Sequence, residues 1–388
     1  MTVSRDAFRR RRNYALALAA ESVAPLLRAA ARARSSGVST DPTSWRRGLI
    51  LGHSHVGDVL YRTCSLEQLK SGLPECRWDY LTSPSAAAVL NDNPALNSVL
   101  PVTFRDSSPL VGLDTFRRLR RTKYDAVLCT NTIRHLADFA FATALGTSNR
   151  VGYGDKGYSG LLTLPVPMAY PQPFPAYFRT LVGTLTGAAP NWALQPHVFP
   201  EEKDRRRAEQ CLGSLGLNPS LPLLACSATT RQAAGGWPAS FFANVLSRTV
   251  QAQPANVVLF GASHDEPTLR EIAGAIPSLA RVVAGELDWL AFAEVLRHCD
   301  ALLAMDSGPR HLANAVGTPV VFTRNLAFSH IEAGVYCANE TDLAPTSAEY
   351  LSAGAIVRLV KSVSVSDAAE RLAGLLRRAR PEQAPTES

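Results

Sequence analysis

An α/β fold of two doubly wound, Rossmann-like domains facing across a cleft is what the sequence predicts. Three observations carry this. Short dense apolar runs alternate with longer helical patterns from about residue 46 to 350, which implies βαβ units and parallel sheets. The chain has 388 residues, about two domains at the usual roughly 100–200 residues each. Within Ala301–Val321, two apolar runs flank a polar turn holding Asp306, Ser307, Gly308 and His311, the pattern of a strand, a turn, a helix and a further strand. Pro309 suits the helix's first turn and Gly317 its end. Ligands of open α/β sheets sit at the carboxyl ends of strands, where a phosphate meets a helix N-terminus.

The elements follow in order. Residues 6 to 34 read as one basic, Leu/Ala-rich helix, or two broken near Pro25, and residues 34 to 44 as a linker. The extension and linker, residues 1–45, are an addition to a core that begins near Trp45. The first domain, 46–190, opens with a strand at Leu49–Leu51, a turn from Gly52 to Asp58 and a helix over Leu60–Lys70. Further strands are expected at Asp79–Thr82, Ser98–Val102 and Tyr124–Cys129, with a helix at Ser85–Leu90. Pro165 to Pro175 reads as irregular, before a helix at Ala176–Thr186. The second domain, 191–350, holds strands at Pro222–Cys226, Asn256–Phe260, Arg281–Val283, Ala301–Ala304 and Pro319–Phe322. Its helices include Ala239–Thr249 and Trp289–Cys299. Residues 351–388 form a C-terminal helix, Ser366–Arg380, and a loose tail.

Composition narrows the function. Hydrophobic content of 46% with 19% charged residues describes a globular chain with a substantial core, and no apolar run reaches the roughly 18 residues of a membrane span. The seven cysteines are scattered, several in apolar runs, which fits buried thiols in a cytoplasmic protein. Net charge is +7, and arginines 5, 9–12, 28, 32, 34, 46 and 47 crowd the first 47 residues. Such a block attracts polyanions. No nucleic-acid module is visible, so the expected partner is the anionic face of a membrane. A tail that only aids solubility is the plainer alternative. The arginines before Tyr14 resemble an export signal, but the apolar stretch is broken by Glu21 and Pro25. Gly152–Gly157 fits G-x-G-x-x-G, yet prolines follow where a helix is needed and no acidic residue sits about 20 positions on, against a dinucleotide-binding oxidoreductase.

The segment Asp306-Ser-Gly-Pro-Arg-His-Leu-Ala-Asn-Ala-Val-Gly-Thr-Pro319 resembles the signature of glycosyltransferase family 9, the ADP-heptose:lipopolysaccharide heptosyltransferases. Three more segments match in order: Gly48 to Asp58, with its Gly-Asp turn; Ala228-Thr-Thr-Arg231 followed by Trp237-Pro238; and Val257–Ala262 with Arg281–Leu287. The resemblance spans about residues 47 to 330. It implies the GT-B architecture, no cofactor and no metal. It further implies an inverting transfer of a sugar, heptose from ADP-heptose, onto a lipopolysaccharide-type or other anionic glycan acceptor.

It also assigns roles. Asp58 becomes the general base that takes the acceptor hydroxyl's proton; an N-cap is its structural alternative. Thr229, Thr230 and Arg231, with Ser307, Gly308 and His311, fall to the donor diphosphate, and Asp306 to sugar hydroxyls or to ordering the turn. Gly57, His55, Asn131 and Arg134 fall to the acceptor. The basic run Arg117–Lys123 is either a complement to that anionic acceptor or a solvated helix face. His53 and His55 near Asp58 have no matching ligand cluster, against a metal site. In one place the chain departs from the family: the lysine usual before Trp-Pro is replaced by Gln232-Ala-Ala-Gly-Gly236. That leaves open a different nucleotide sugar, or a non-catalytic sugar-nucleotide-binding protein.

Overall fold

The computed structural model describes residues 21–26, 39–105, 108–132, 136–156, 158–230, 237–326, 328–345 and 363–379. The chain divides into two compact units, Met1–Leu194 and Gln195–Ser388.

The first unit contains β1 (Arg47–Leu51), β2 (Arg77–Thr82), β3 (Ser98–Pro101), β4 (Thr103–Arg105), β5 (Ser108–Leu110), β6 (Ala126–Cys129), β7 (Asn149–Tyr153) and β8 (Leu164–Val166). Six of these form a parallel sheet in the order β3-β2-β1-β6-β7-β8. β4 and β5 make a separate antiparallel hairpin. The second unit contains β9 (Leu223–Ser227), β10 (Asn256–Gly261), β11 (Ala280–Ala284), β12 (Ala301–Met305), β13 (Val320–Thr323) and β14 (Glu340–Asp342). They form a parallel sheet in the order β11-β10-β9-β12-β13-β14. In both units the order reverses between the first and fourth strands of the sheet, the crevice where doubly wound folds bind ligands. The α/β, doubly wound class is therefore as expected.

The central strands are apolar on both faces because helices cover both. Every residue of β6, β9 and β12 is buried. Leu224, Val257, Leu303 and Val321 form one core with the helix Ala239–Ala252. The helix Val365–Ala379 adds Ala368, Leu372 and Leu376 to it. Leu49, Leu51, Val127 and Cys129 centre the core of the first unit. All seven cysteines are free thiols, six of them buried.

Several expectations change. The helix expected at Leu60 begins at Val56 and ends at Leu60; a 3-10 segment, Tyr61–Ser65, joins it to the helix Leu66–Gly72. Asp58 thus lies in a first helical turn, not in a loop, and the N-cap position belongs to His55. The stretch expected to be irregular starts with β8, an edge strand that tolerates Pro165, and the following helix starts at Phe174. β7 and β14 were not foreseen. β14 is only Glu-Thr-Asp, and ion pairs rather than apolar packing hold it: Arg310 binds Glu340 and Arg324 binds Asp342. Among the described residues no α-helix opens after Gly152–Gly157; a 3-10 turn, Gly154–Lys156, stands within the motif and another, Ser159–Leu161, follows it.

Of the N-terminal arm only Glu21–Leu26 and the residues from Ser39 on are described, so most of the expected helix lies outside the described residues. The described piece is seated on the first unit. The Glu21 carboxylate accepts from the backbone N–H and the hydroxyl of Ser159, the latter at 2.6 Å. Ala24 is fully buried beside Gly160, where any Cβ would meet its backbone. The arm is therefore not merely appended to a core that begins at Trp45. Among the described residues no helix is long and apolar enough to cross a membrane.

Candidate functional site

In the first unit, β1 delivers Gly52 to Val56 to the carboxyl edge of the sheet, and β6 delivers Thr130 and Asn131 beside it. The two strand ends are tied together: Thr130 Oγ1 donates to the Leu51 carbonyl at 2.7 Å. Gly52 is required because a Cβ there would stand 2.1 Å from the Tyr80 ring. Asp58 then projects from the first turn of the helix with its side chain 28% exposed.

Both Asp58 oxygens have neighbours. Oδ1 accepts from the Tyr61 hydroxyl at 2.7 Å, and Oδ2 lies 3.3 Å from His53 Nδ1. Arg62 is buried behind it and donates to the carbonyls of Asp58 and Thr130. Burial pushes the Asp58 carboxyl up, but the neighbouring His53 imidazole, the Arg62 guanidinium and the Tyr61 hydroxyl outweigh it. The net effect holds Asp58 well below the usual carboxylate range, so it is ionised at neutral pH. An ionised, partly exposed carboxylate at a strand end can accept a proton from a bound hydroxyl.

Of the other residues expected here, Gly57 occupies the same helical turn, His55 is exposed at its N-cap, and Asn131 is buried at the end of β6. Arg134 lies outside the described residues. The basic run falls on the helix Leu113–Thr122, and the Arg47 guanidinium donates to the Thr122 carbonyl at its end. Arg47 begins β1, so the run's C-terminal end borders the amino edge of the sheet, away from Asp58.

In the second unit, β9 and β12 are neighbours with Ser227 opposite Ala304. The turn bearing Thr229 and Thr230 therefore lies beside the turn bearing Asp306 and Ser307. Both threonines are half-buried. Arg231, with Gln232 to Gly236, lies outside the described residues; Trp237 is buried against Phe241. Ser307 is the N-cap of the helix Gly308–Val316, but its hydroxyl donates to the Met305 carbonyl at 3.3 Å rather than capping the helix. Gly308 and Pro309 form the first helical turn. Gly317 ends the helix with φ +81, a conformation that favours glycine.

Asp306 is engaged within the protein: its Oδ1 accepts from Arg310 Nη1 at 2.8 Å. That favours ordering the turn over contacting sugar. Arg310 is fully buried and also donates to both Glu340 oxygens, at 2.6 and 3.1 Å, and to the carbonyls of Ala333 and Gly334. Its guanidinium lies 3.6 Å from the centroid of the Phe322 ring. Burial raises the Glu340 carboxyl, but Arg310 and the hydrogen bonds of Tyr336 and Asn314 hold it lower overall. His311 Nδ1 stands 2.6 Å from the Tyr336 hydroxyl, and its Nε2 is 3.9 Å from Asp306 Oδ1.

Sequence reading weighed His53 only as a metal ligand and gave it no role beside Asp58; it missed Tyr61 and Arg62 there, and Arg310, Tyr336 and Glu340 around the second turn. Helical spacing offered a signal for three of them. Tyr61 and Arg62 are three and four residues beyond Asp58, and Arg310 is four beyond Asp306, the separations that share a helix face.

Comparison with known proteins adds the family. The model of glycosyltransferase family 9 (heptosyltransferase) matches residues 113–322. A lipooligosaccharide heptosyltransferase 2 of Haemophilus influenzae is 25% identical over 291 residues, 70% of this chain and 81% of that protein. Two solved structures share the fold. The E. coli ADP-heptose lps heptosyltransferase II aligns with a TM-score of 0.66 at 19% identity, over 86% of this chain and 99% of that one. A glycosyl transferase family 9 protein from Veillonella parvula aligns with a TM-score of 0.69 at 18% identity, over 86% and 98%. The chain belongs to glycosyltransferase family 9, the heptosyltransferase family, and is a glycosyltransferase of that type.

Proposed function

We propose that this chain transfers heptose, with inversion, from ADP-heptose to an acceptor hydroxyl on a lipopolysaccharide-type anionic glycan. The observation that carries this reading is the placement of Asp58 and of Ser307 with Thr229 and Thr230. Each group stands at the carboxyl edge of a doubly wound sheet, where its strand order reverses. Asp58 takes the proton as the acceptor oxygen attacks the anomeric carbon, and the bond from that carbon to the diphosphate breaks, releasing ADP. Because Asp58 is a weak base, its proton transfer runs late, together with formation of the new C–O bond. The backbone N–H groups at the start of Gly308–Val316, the hydroxyls of Ser307, Thr229 and Thr230, Arg231 and His311 stabilise the charge on the departing diphosphate. His55, Gly57, Asn131 and Arg134 bind the acceptor. The relatives support the donor, since the E. coli structure is named for ADP-heptose. Incubation of the chain with ADP-heptose and a heptose-accepting lipopolysaccharide core, read by mass spectrometry, tests it. Failure to add a heptose residue under conditions where ADP binds would overturn the donor assignment.

Identity of only 25% and the absence of lysine in Gln232–Gly236 favour a second reading, a different nucleotide sugar on the same fold. Calorimetry with ADP-, UDP- and GDP-sugars separates the two, as tighter binding of a UDP- or GDP-sugar would replace ADP-heptose. We also propose that residues 1–44 bring the enzyme to the anionic cytoplasmic face of a membrane. Their arginines, and the exposed Val23 and Leu26 on the seated segment, support this. Sedimentation with phosphatidylglycerol liposomes should fall as salt rises, and Val23→Glu with Leu26→Glu should weaken it. Salt-independent binding, or unchanged binding by the double variant, would count against the arm.

A further inference from the structure

The second unit contains a chain of polar side chains that ends on His311, and it determines where that imidazole carries its proton. Glu340 is buried and accepts from Arg310, from the backbone N–H of Tyr336 at 2.9 Å and from Asn314 Nδ2 at 2.7 Å. A carboxylate only accepts, so the Asn314 amide is fixed with its nitrogen toward Glu340. Asn314 Oδ1 is buried and has no hydrogen-bond partner among the described residues. The Tyr336 hydroxyl therefore does not donate to the Asn314 amide oxygen. Burial, reinforced by Glu340, pushes the phenol far above its ordinary value, so the hydroxyl keeps its proton. Among the described residues the acceptor that remains for that proton is His311 Nδ1, at 2.6 Å.

We propose that Tyr336 is a positioning residue that donates to His311 Nδ1, so the neutral imidazole carries its proton on Nε2 and presents an N–H to the donor's diphosphate. Nδ1 must offer its lone pair to the phenol, which leaves Nε2 as the protonated nitrogen. The opposite tautomer would set a lone pair against phosphate oxygens. The two rings stack with centroids 5.6 Å apart and an interplanar angle of 28°, which restrains the orientation of the imidazole. Nε2 lies on the Asp306 side of the ring, toward the turn at the helix N-terminus. Tyr336 acts at a distance from substrate, as a group behind the one that binds. This inference rests on the donor-site reading given above.

Nitrogen-15 NMR of the full-length chain, labelled at histidine and assigned by comparison with His311→Gln, tests the tautomer directly. The expected spectrum shows Nδ1 of His311 unprotonated and Nε2 protonated; a proton on Nδ1 would overturn the proposal. ADP binding by calorimetry tests the function. Tyr336→Phe should weaken ADP about three- to tenfold, the size of one ordinary hydrogen bond. In a His311→Gln background, where the amide supplies its own donor, Tyr336→Phe should cost nothing further. Equal weakening in both backgrounds would mean that Tyr336 acts through the fold and not through His311. A wild-type chain that binds neither ADP nor ADP-heptose would overturn the donor reading, and the nitrogen spectrum would then decide the tautomer by itself.

Discussion

Asp58 and Asp306 both lie at the carboxyl edge of a sheet beside the point where its strand order reverses, Asp58 in the helix that follows β1 and Asp306 directly after β12; each has an arginine four residues on, and they use that arginine in opposite ways. Arg310 grips the Asp306 carboxylate itself and is balanced by a second carboxylate, Glu340. Arg62 donates to the Asp58 backbone carbonyl and to Thr130, leaving the Asp58 oxygens to Tyr61 and His53. The Asp58 side chain is 28% exposed and that of Asp306 14%. One aspartate is kept charged and reachable, and the other is spent on holding a turn. The difference comes from what lies behind: β14 supplies Glu340 in the second unit, whereas the buried neighbours of Arg62 are phenols, Tyr61, Tyr80 and Tyr153.

The largest effect expected is on turnover. Asp58→Asn should lower kcat by about 10²–10⁴, the worth of a general base, while leaving ADP affinity unchanged. Asp306→Asn should instead weaken ADP binding and stability with a smaller loss in kcat. Steady-state kinetics and calorimetry on the two variants make the comparison. Similar kcat losses in both would show that the two aspartates are not divided in this way.

Stability comes next. Arg310→Leu strands Asp306 and the buried Glu340, and stranding a buried charge costs roughly 3–5 kcal/mol. Arg62→Leu strands two carbonyls, each costing about 1–3 kcal/mol, but no fully buried carboxylate. Urea unfolding should therefore rank Arg310→Leu as the more damaging. A reversed ranking would mean that Arg62 carries more of the first unit than its contacts suggest.

The same contrast marks the limits of sequence reading. The central strands were legible because burial on both faces makes them continuous apolar runs, as in Leu223–Ser227 and Ala301–Met305. β14 was not, because Glu340 and Asp342 hold it by ion pairs to residues 30 and 18 positions away. Asp58 was singled out through its Gly-Asp pair, yet the helix start at Val56 was misplaced, and the i+3 and i+4 partners went unread with it. His53 stands near Asp58 in sequence, but nothing local pairs its ring with that carboxylate. Its closeness to Asp58 depends on how the loop after β1 folds back, held by the Thr82 hydroxyl donating to the His53 carbonyl.

His53 supplies the finest test of how Asp58 is kept reactive. Its residue is 7% exposed, and its Nδ1 faces Asp58 Oδ2 at 3.3 Å. The other groups acting on that carboxylate are Tyr61 and Arg62, both of which also favour the ionised form. Burial alone would raise the Asp58 carboxyl, so removing His53 shifts the balance upward. In the wild type, the acid limb of kcat/KM due to Asp58 should lie below the ordinary carboxylate range. Because the folded value is depressed, the matching stability is present above the unfolded value, about 3.9, and is lost as pH falls through the folded one. His53→Gln and His53→Ala should both move the acid limb to higher pH, with kcat at pH 8 changed far less than in Asp58→Asn. Tyr61→Phe should move it in the same direction by removing the hydroxyl's hydrogen bond. An acid limb that stays in place in all three variants would show that Asp58 owes its charge to Arg62 alone, and would make Arg62 the nearest counterpart of Arg310 after all.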